Sequence, residues 1–527
     1  MNGADKRKFC GILLALLSVA GGLTLVPAEF RLSEVHAPFL VLVQTLRLMA
    51  SGALAHLDFP TVTGPLGVRP FLWARDLAAL AGWPAGLGFA LGLGQFLVVL
   101  AILPPLWWVA VSRMGRRLAA FLALVLTIVI IALVPGEGGL SLGLDAHAVR
   151  WSWAWATLAL LIVVVPARVR RADEADGLAL GGALTVLALT RSDLALALSV
   201  PVALGLVYQF RARVLAIAIG VLLIVWAVLF WRHGTAYWAA WARDLGASCP
   251  GLADPALWPT LLPGRLTPGF AVAAPLAAGA ALLLRRASRG AGATLLLVLP
   301  FLLLAGLLMD GTGMLWLMPV AFALMALLPD EGDGPRRAIA GAALATLVLM
   351  APMLAAMAAS PVRHLMAQND PAGPILPATP DLALLGAEEL IRVETRLAPN
   401  GAVPAGTMTF GDRPVPDCRL AGGVVSALRD QAMVLAGAGL VDGRQPFVAD
   451  ITGPHWILAP LDPLPGMAPR QDRGLPGLAG ADMLLVPDCP LDPAQRARIL
   501  TLIAAGDMTV TEVFRGEMFT LYSLDRP

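Results

Sequence analysis

His56 and Asp58 stand two residues apart in the run His56-Leu57-Asp58-Phe59-Pro60-Thr61-Val62-Thr63-Gly64-Pro65-Leu66. A carboxylate at a water boundary is ionised at neutral pH and can take the proton of a hydroxyl held within hydrogen-bonding reach. Asp58 therefore reads as a general base, with a turn aspartate before Pro60 as the plainer alternative. His56 could orient Asp58 or touch an acceptor, or be an interfacial histidine with no task. A second constellation is Leu189-Thr190-Arg191-Ser192-Asp193-Leu194, an arginine between two apolar runs, where a cation requires a reason. Asp193, two residues on, could be that reason, and so could an anionic ligand. Arg232 and His233 follow another apolar run and could face an anionic group or simply anchor the chain at an interface. Glu137, Asp145 and His147 lie in or beside a Gly-rich stretch and could supply a second carboxylate or a metal ligand. Their spacing is not that of a dedicated metal site, and a solvated loop is the alternative.

The elements that must position these residues are apolar. The 527-residue chain is 58% hydrophobic and 14% charged, with a mean hydropathy of +0.76 and a formal net charge of +2. A soluble globular protein carries about 25% charged residues, so a water-soluble enzyme, a disordered chain and a nucleic-acid binder are excluded. Apolar runs long enough for a hydrocarbon core of about 30 Å fall at 9–26, 84–111, 118–134, 151–166, 177–190, 194–210, 214–231, 267–284, 291–309, 312–328 and 338–358. These predict a polytopic α-helical membrane protein of about eleven transmembrane helices. Short loops on one side hold Lys6-Arg7-Lys8, Arg113/Arg116/Arg117, Arg168/Arg170/Arg171, Arg211/Arg213, Arg285/Arg286/Arg289 and Arg336/Arg337, while longer loops on the other side hold fewer cations. By the positive-inside rule the N-terminus is cytoplasmic. The first run reads as a retained span, since no small-residue cleavage site follows it.

An odd number of spans places everything after residue 358 outside, so the expected division is a transmembrane domain over 1–358 and an extracytoplasmic α/β domain over 359–527. In the latter, Pro371–Pro380 reads as a linker, Leu382–Arg396, Gly422–Ala436 and Asp492–Ala505 as helices, and Phe447–Ile451, Met483–Pro487, Thr509–Phe514 and Phe519–Leu524 as strands. Four cysteines cannot form a disulfide framework in a chain this long, but Cys418 and Cys489 both fall outside, where they could pair. The first outer loop, 27–83, contains an apolar-periodic stretch, Val35–Leu54, that suits a helix lying at the membrane surface. Trp151, Trp153 and Trp155, and Trp238, Trp241 and Trp258 of the loop 232–266, read as interfacial anchors. Gly86, Gly88, Gly92 and Gly94 lie in an apolar run and suit close helix packing better than a nucleotide loop.

A long first outer loop with surface helices around an aspartate, followed by many spans and an outer C-terminal domain, resembles the GT-C superfamily of integral-membrane glycosyltransferases. The His-x-Asp-Phe…Gly-Pro pattern is similar to that of bacterial members related to mannosyl- and aminoarabinose-type transferases. The resemblance implies a GT-C-like fold over roughly residues 1–360, and a sugar moved from a polyprenyl-phosphate donor to an acceptor hydroxyl on a glycan, lipid or protein. It implies Asp58 as the base. It places Arg191 where family members carry a lysine near the lipid phosphate, although Ser192-Asp193 departs from the usual Gly-Pro. Arg232 and His233 could meet that phosphate too, and a divalent metal near the base is known among such enzymes. The setting implied is a bacterial inner membrane, with surrounding lipids and no nucleic acid as partner. Two readings compete. A polysaccharide polymerase or ligase would place its large outer loop between late spans, and a lipid or glycan transporter would show paired repeats and ionisable residues at mid-membrane.

Overall fold

A run of apolar residues that cannot leave its backbone unpaired in hydrocarbon becomes a helix, and each of the eleven apolar runs carries one. The computed structural model describes the chain except residues 27–29, 33–36, 84–85, 134–143, 169–171, 249–265, 309–312, 329–332, 367–372, 377–378, 385–408, 411–412, 415–423, 472–473 and 527. The helices in chain order are α1 (Gly3–Leu25), α2 (Ala37–Ala50), α3 (Arg69–Leu80), α4 (Leu87–Arg113), α5 (Arg116–Ile131), α6 (Leu144–Val164), α7 (Asp173–Thr190), α8 (Ser192–Tyr208), α9 (Ala212–Ser248), α10 (Pro268–Ala287), α11 (Arg289–Leu308), α12 (Met318–Ala326) and α13 (Asp333–Met366). Among the described residues seven of them, α1, α4, α6, α9, α10, α11 and α13, are long and apolar enough to cross a membrane. The chain is a multi-pass membrane protein. The other four helices on apolar runs are short (α5, α8 and α12) or open with Asp173, Glu174 and Asp176 (α7).

The basic turns gather at one end of the bundle. Arg113 Nη2 donates to Asp176 Oδ2 at 2.6 Å, Arg211 reaches the same carboxylate and Asp173, and Trp108 Nε1 donates to Asp176 Oδ1 at 2.8 Å. Arg116 pairs with Asp5 at 3.0 Å, and the Arg168 amide donates to the Ser112 carbonyl. The opposite end carries the first loop and the C-terminal region. There β1 (Phe30–Leu32), leaving α1, pairs in parallel with β3 (Thr379–Leu384), which forms a hairpin with β2 (Gly373–Leu376) after α13. The chain thus emerges from its first and last long helices on the same face. Within the expected linker, Gly373–Leu376 and Thr379–Pro380 are therefore strand residues, and Leu382–Leu384 of the expected helix Leu382–Arg396 lie in β3, the rest of that segment being outside the described residues. The partner strand β1 explains both differences, because only tertiary contact offers those backbone groups a ladder.

Beyond β4 (Thr409–Phe410) and β5 (Arg413–Pro414), α14 (Val424–Gly437) precedes a four-stranded sheet of order β6-β7-β9-β8. Its strands are β6 (Phe447–Val448), β7 (Met483–Pro487), β8 (Thr509–Arg515) and β9 (Phe519–Asp525), with α15 (His455–Leu458) and α16 (Pro493–Ala504) between them. Three of these strands and α16 match the expected segments closely. Asp492 caps α16 by accepting from the amides of Ala494 and Gln495. Ile499, Leu500 and Ile503 of α16 are buried.

Three expectations change on folding. The helix expected at the membrane surface, α2, is buried from Phe39 through Leu46. Gln44 Nε2 donates to Thr452 Oγ1 at 2.8 Å while its Oε1 accepts from Trp456 Nε1, so the C-terminal region covers this helix. Its circumference is apolar apart from Gln44, Thr45 and Arg47, and a helix apolar all round is buried rather than interfacial. Trp151, Trp153 and Trp155 are likewise interior, at 2%, 0% and 6% exposure, because α6 is the central helix of the bundle. The loop expected from residue 232 is helical to Ser248. Gly234 breaks it with φ 74°, ψ −178°, a conformation only glycine adopts readily. In a straight helix Trp226 and Trp238 would be about 18 Å apart along the axis. Their rings stack at 4.8 Å, so the break folds residues 235–248 back on the helix that precedes them. Trp241 packs on both rings, so Trp238 and Trp241 are anchors for this fold-back; Trp258 lies outside the described residues.

Candidate functional site

The chain from Leu54 to Phe59 closes on itself. The His56 amide donates to the Phe59 carbonyl at 2.9 Å, and the Asp58 amide to the Leu54 carbonyl at 2.9 Å. In return the Leu54 amide donates to Asp58 Oδ2 at 2.7 Å. Asp58 is exposed, and among the described residues its other oxygen has no partner. The same small turn sends His56 the other way. His56 has φ 73°, a strained value for a residue with a Cβ, and is 2% exposed.

His56 does not orient Asp58. Its Nδ1 lies 2.9 Å from Asp244 Oδ2, and the same oxygen accepts the Thr61 amide at 3.0 Å. A carboxylate only accepts, so Nδ1 carries the proton, and a neutral ring then leaves Nε2 as an acceptor. That Nε2 is buried and has no hydrogen-bond partner among the described residues. The ring edges meet Tyr237 at 6.1 Å and Trp241 at 6.4 Å between centroids. Tyr237, Trp241 and Asp244 sit at i, i+4 and i+7 on the folded-back half of α9, one face of a helix.

The loop is fixed at two further points. The Gly64 amide donates to the Thr190 carbonyl at 2.9 Å, and a Cβ on Gly64 would fall 2.3 Å from the Leu189 carbonyl oxygen. The Gly-Pro of the first-loop motif is thus a close backbone approach to the turn between α7 and α8. At the third point, His147 Nε2 donates to the Gly67 carbonyl at 2.6 Å, and its ring packs edge-on against Phe71 and Trp151. His147 is fully buried and tethers the loop; it is not exposed toward a metal. Glu137 lies outside the described residues. Asp145 stands in the first turn of α6, its side chain undescribed. Among the described residues no three His, Cys, Asp or Glu side chains are grouped as a metal centre requires.

Arg191 occupies the turn that Gly64 touches, 6% exposed. Its Nε donates to Asp193 Oδ1 at 3.1 Å and its Nη2 to Oδ2 at 2.6 Å, a bidentate pair. The neighbouring carboxylate is thus one contact that Arg191 makes. The departure from a Gly-Pro turn at Ser192-Asp193 supplies that partner.

The cations near the loop with no ion pair lie elsewhere. Arg69 opens α3, directly after the Gly64–Val68 turn, and is within electrostatic reach of His233 and Tyr237. Arg232 is exposed beside His233, whose ring tilts against Tyr237 at 4.9 Å. Among the described residues neither Arg69 nor Arg232 has a hydrogen-bonded side-chain partner. Arg69, Tyr237 and Asp244 went unnoticed in the sequence. Arg69 carried a usable signal, a cation in an outer loop against the positive-inside rule. Asp244 was hidden because 232–266 reads as a loop, where a helical period is not sought. In the C-terminal region Cys489 is in a disulfide and Cys10 is free, while Cys418 lies outside the described residues.

No family model matches this chain, and no curated protein matches it. Among solved structures it is similar to ArnT from Cupriavidus metallidurans in the apo state, at 15% identity over 98% of each chain with a TM-score of 0.36. It is similar to the same protein bound to undecaprenyl phosphate, at 15% identity over 97% of this chain and 98% of that one, with a TM-score of 0.33. The Archaeoglobus fulgidus oligosaccharyltransferase in complex with Zn and sulfate gives 11% identity over 90% of this chain and 68% of that one, with a TM-score of 0.37. Likeness at this level carries nothing about the site.

Proposed function

We propose that this protein is a membrane glycosyltransferase that moves a sugar from a polyprenyl-phosphate donor to an acceptor hydroxyl, at the face opposite the basic turns. The observation that carries the reading is the first loop itself. It is pinned to α6, α7 and α9, yet presents the Asp58 carboxylate outward with one oxygen held by the Leu54 amide and the other open. A base held in place at a water boundary suits an acceptor hydroxyl. Asp58 takes the hydroxyl proton as the acceptor oxygen bonds to the anomeric carbon. The bond from that carbon to the phosphate oxygen breaks, and polyprenyl phosphate leaves with the electron pair. Arg69 and Arg232, with His233 beside them, meet the charge growing on the leaving phosphate. Arg191 holds the turn through Asp193 and is not assigned to the phosphate.

The basic face is then cytoplasmic and the C-terminal region, residues 359–527, periplasmic in a bacterial inner membrane. The disulfide that holds Cys489 belongs to that oxidising side. The test is an assay of the purified full-length protein with a polyprenyl-phosphate-linked sugar. The donor should raise the melting temperature of the protein, and Asp58→Asn should abolish transfer without abolishing that rise. Transfer that survives Asp58→Asn would sink the mechanism.

A further inference from the structure

The end of the bundle opposite the candidate site carries a cleft of about 400 Å³, lined by Asp5, Gly115, Arg116, Arg117 and Arg168, with Met114, Leu118 and Met325 among its apolar walls. That volume suits a small ligand group. Four helices and one loop meet there: the start of α1, the end of α4, the first turn of α5, the end of α12 and the chain after α6. Its charge is not balanced from within. Asp5 pairs with Arg116, Asp176 with Arg113 and Arg211, Asp173 with Arg211, and Glu174 with Arg213. Arg117 and Arg168 have no side-chain partner among the described residues. Arg168 is nonetheless held in place, its amide donating to the Ser112 carbonyl at 2.8 Å. Arg116 and Arg117 also stand in the first turn of α5, the end of a helix where cations are unfavourable unless an anion is present. The positive-inside rule explains cations on this face, but it does not ask that they line a concavity between helices.

We infer that this cleft binds the phosphate of an anionic phospholipid headgroup, with Arg117 and Arg168 as its cationic contacts and Met114, Leu118 and Met325 against the lipid's apolar part. A basic pocket between membrane helices is suited to such a headgroup, and guanidinium forks match phosphate oxygens. The inference does not depend on the sugar-transfer reading.

The experiment uses the purified full-length protein in a neutral detergent with added phosphatidylglycerol, phosphatidylcholine or sodium phosphate, read by native mass spectrometry and melting temperature. Phosphatidylglycerol should be retained and should raise the melting temperature, with phosphatidylcholine doing neither. The double variant Arg117→Gln/Arg168→Gln should weaken retention by about tenfold or more. The double variant Arg285→Gln/Arg286→Gln removes equal charge from exposed positions on the same face and should leave retention unchanged. Equal losses in the two double variants would overturn the site in favour of diffuse surface charge. A shift reproduced by sodium phosphate alone would overturn the lipid as its ligand.

Discussion

His56 Nδ1 and Asp244 Oδ2 lie 2.9 Å apart across 188 residues of chain, a contact that fastens the first loop to the folded-back half of α9. The same carboxylate oxygen takes the Thr61 amide, so one buried side chain sets the conformation of the loop on both sides of Asp58.

Replacing either partner should loosen this loop. His56→Ala and Asp244→Ala should each destabilise the protein, and the double variant should cost less than their sum. A coupling of about 1–3 kcal/mol is expected for a buried hydrogen bond to a charged group. A double-mutant cycle on stability reads it, and strict additivity would mean that the pair is not formed.

Gly64→Ala should be far more damaging than an ordinary glycine substitution. Its Cβ would meet the Leu189 carbonyl oxygen at 2.3 Å, and backbone cannot yield cheaply. Gly220→Ala, where nothing stands within 4 Å, is the control. The first should lower the melting temperature and transfer together; the second should leave both near wild type.

Asp58→Asn should separate chemistry from folding. The residue is exposed, and the asparagine oxygen can still accept the Leu54 amide. Loss of a general base costs about 10²–10⁴ in kcat, with the melting temperature unchanged. A comparable fall in melting temperature would make Asp58 a turn residue instead.

Asp193→Asn tests the Arg191 pair. Both side chains are nearly buried, at 8% and 11% exposure, and removing one partner of a buried pair costs about 3–5 kcal/mol. The melting temperature should drop sharply and donor affinity should not improve. Tighter donor binding in this variant would show that Arg191 serves the phosphate once released.

Asp450 gives the C-terminal region a pH dependence. Burial pushes its carboxyl up to about 7, despite three backbone amides donating to it from Ile451, Leu491 and Asp492. A carboxyl raised above its unfolded value stabilises the fold at low pH, and that stability is lost as pH rises through about 7. His455, which burial lowers to about 4, acts in the opposite direction, losing stability as pH falls through that value. The difference between wild type and Asp450→Asn isolates the first term. It should shrink as pH rises from about 4 to about 7, by up to about 1.4 kcal/mol per unit, in unfolding followed by tryptophan fluorescence. A flat difference would contradict it.

Much of the architecture was settled by local chemistry. Apolar runs of spanning length had to become helices wherever they went, because hydrocarbon offers a backbone no other partner. The strands Met483–Pro487 and Phe519–Asp525 and the capped helix after Asp492 follow in the same way from alternation and turn residues. Asp58 could be singled out as a carboxylate beside a turn, since its type and its place before Pro60 are properties of the sequence. Contact across the chain decided the rest. That Trp151 and Trp153 are interior, that α2 lies under the C-terminal region, and that Gly373–Leu376 pairs with β3 all depend on which surfaces meet, and periodicity does not say which. Likewise the partner of His56 is 188 residues away, and Arg191 chose the carboxylate beside it. Pairing between charges is set by distance in space, which is why candidate residues could be named from the sequence while their partners could not.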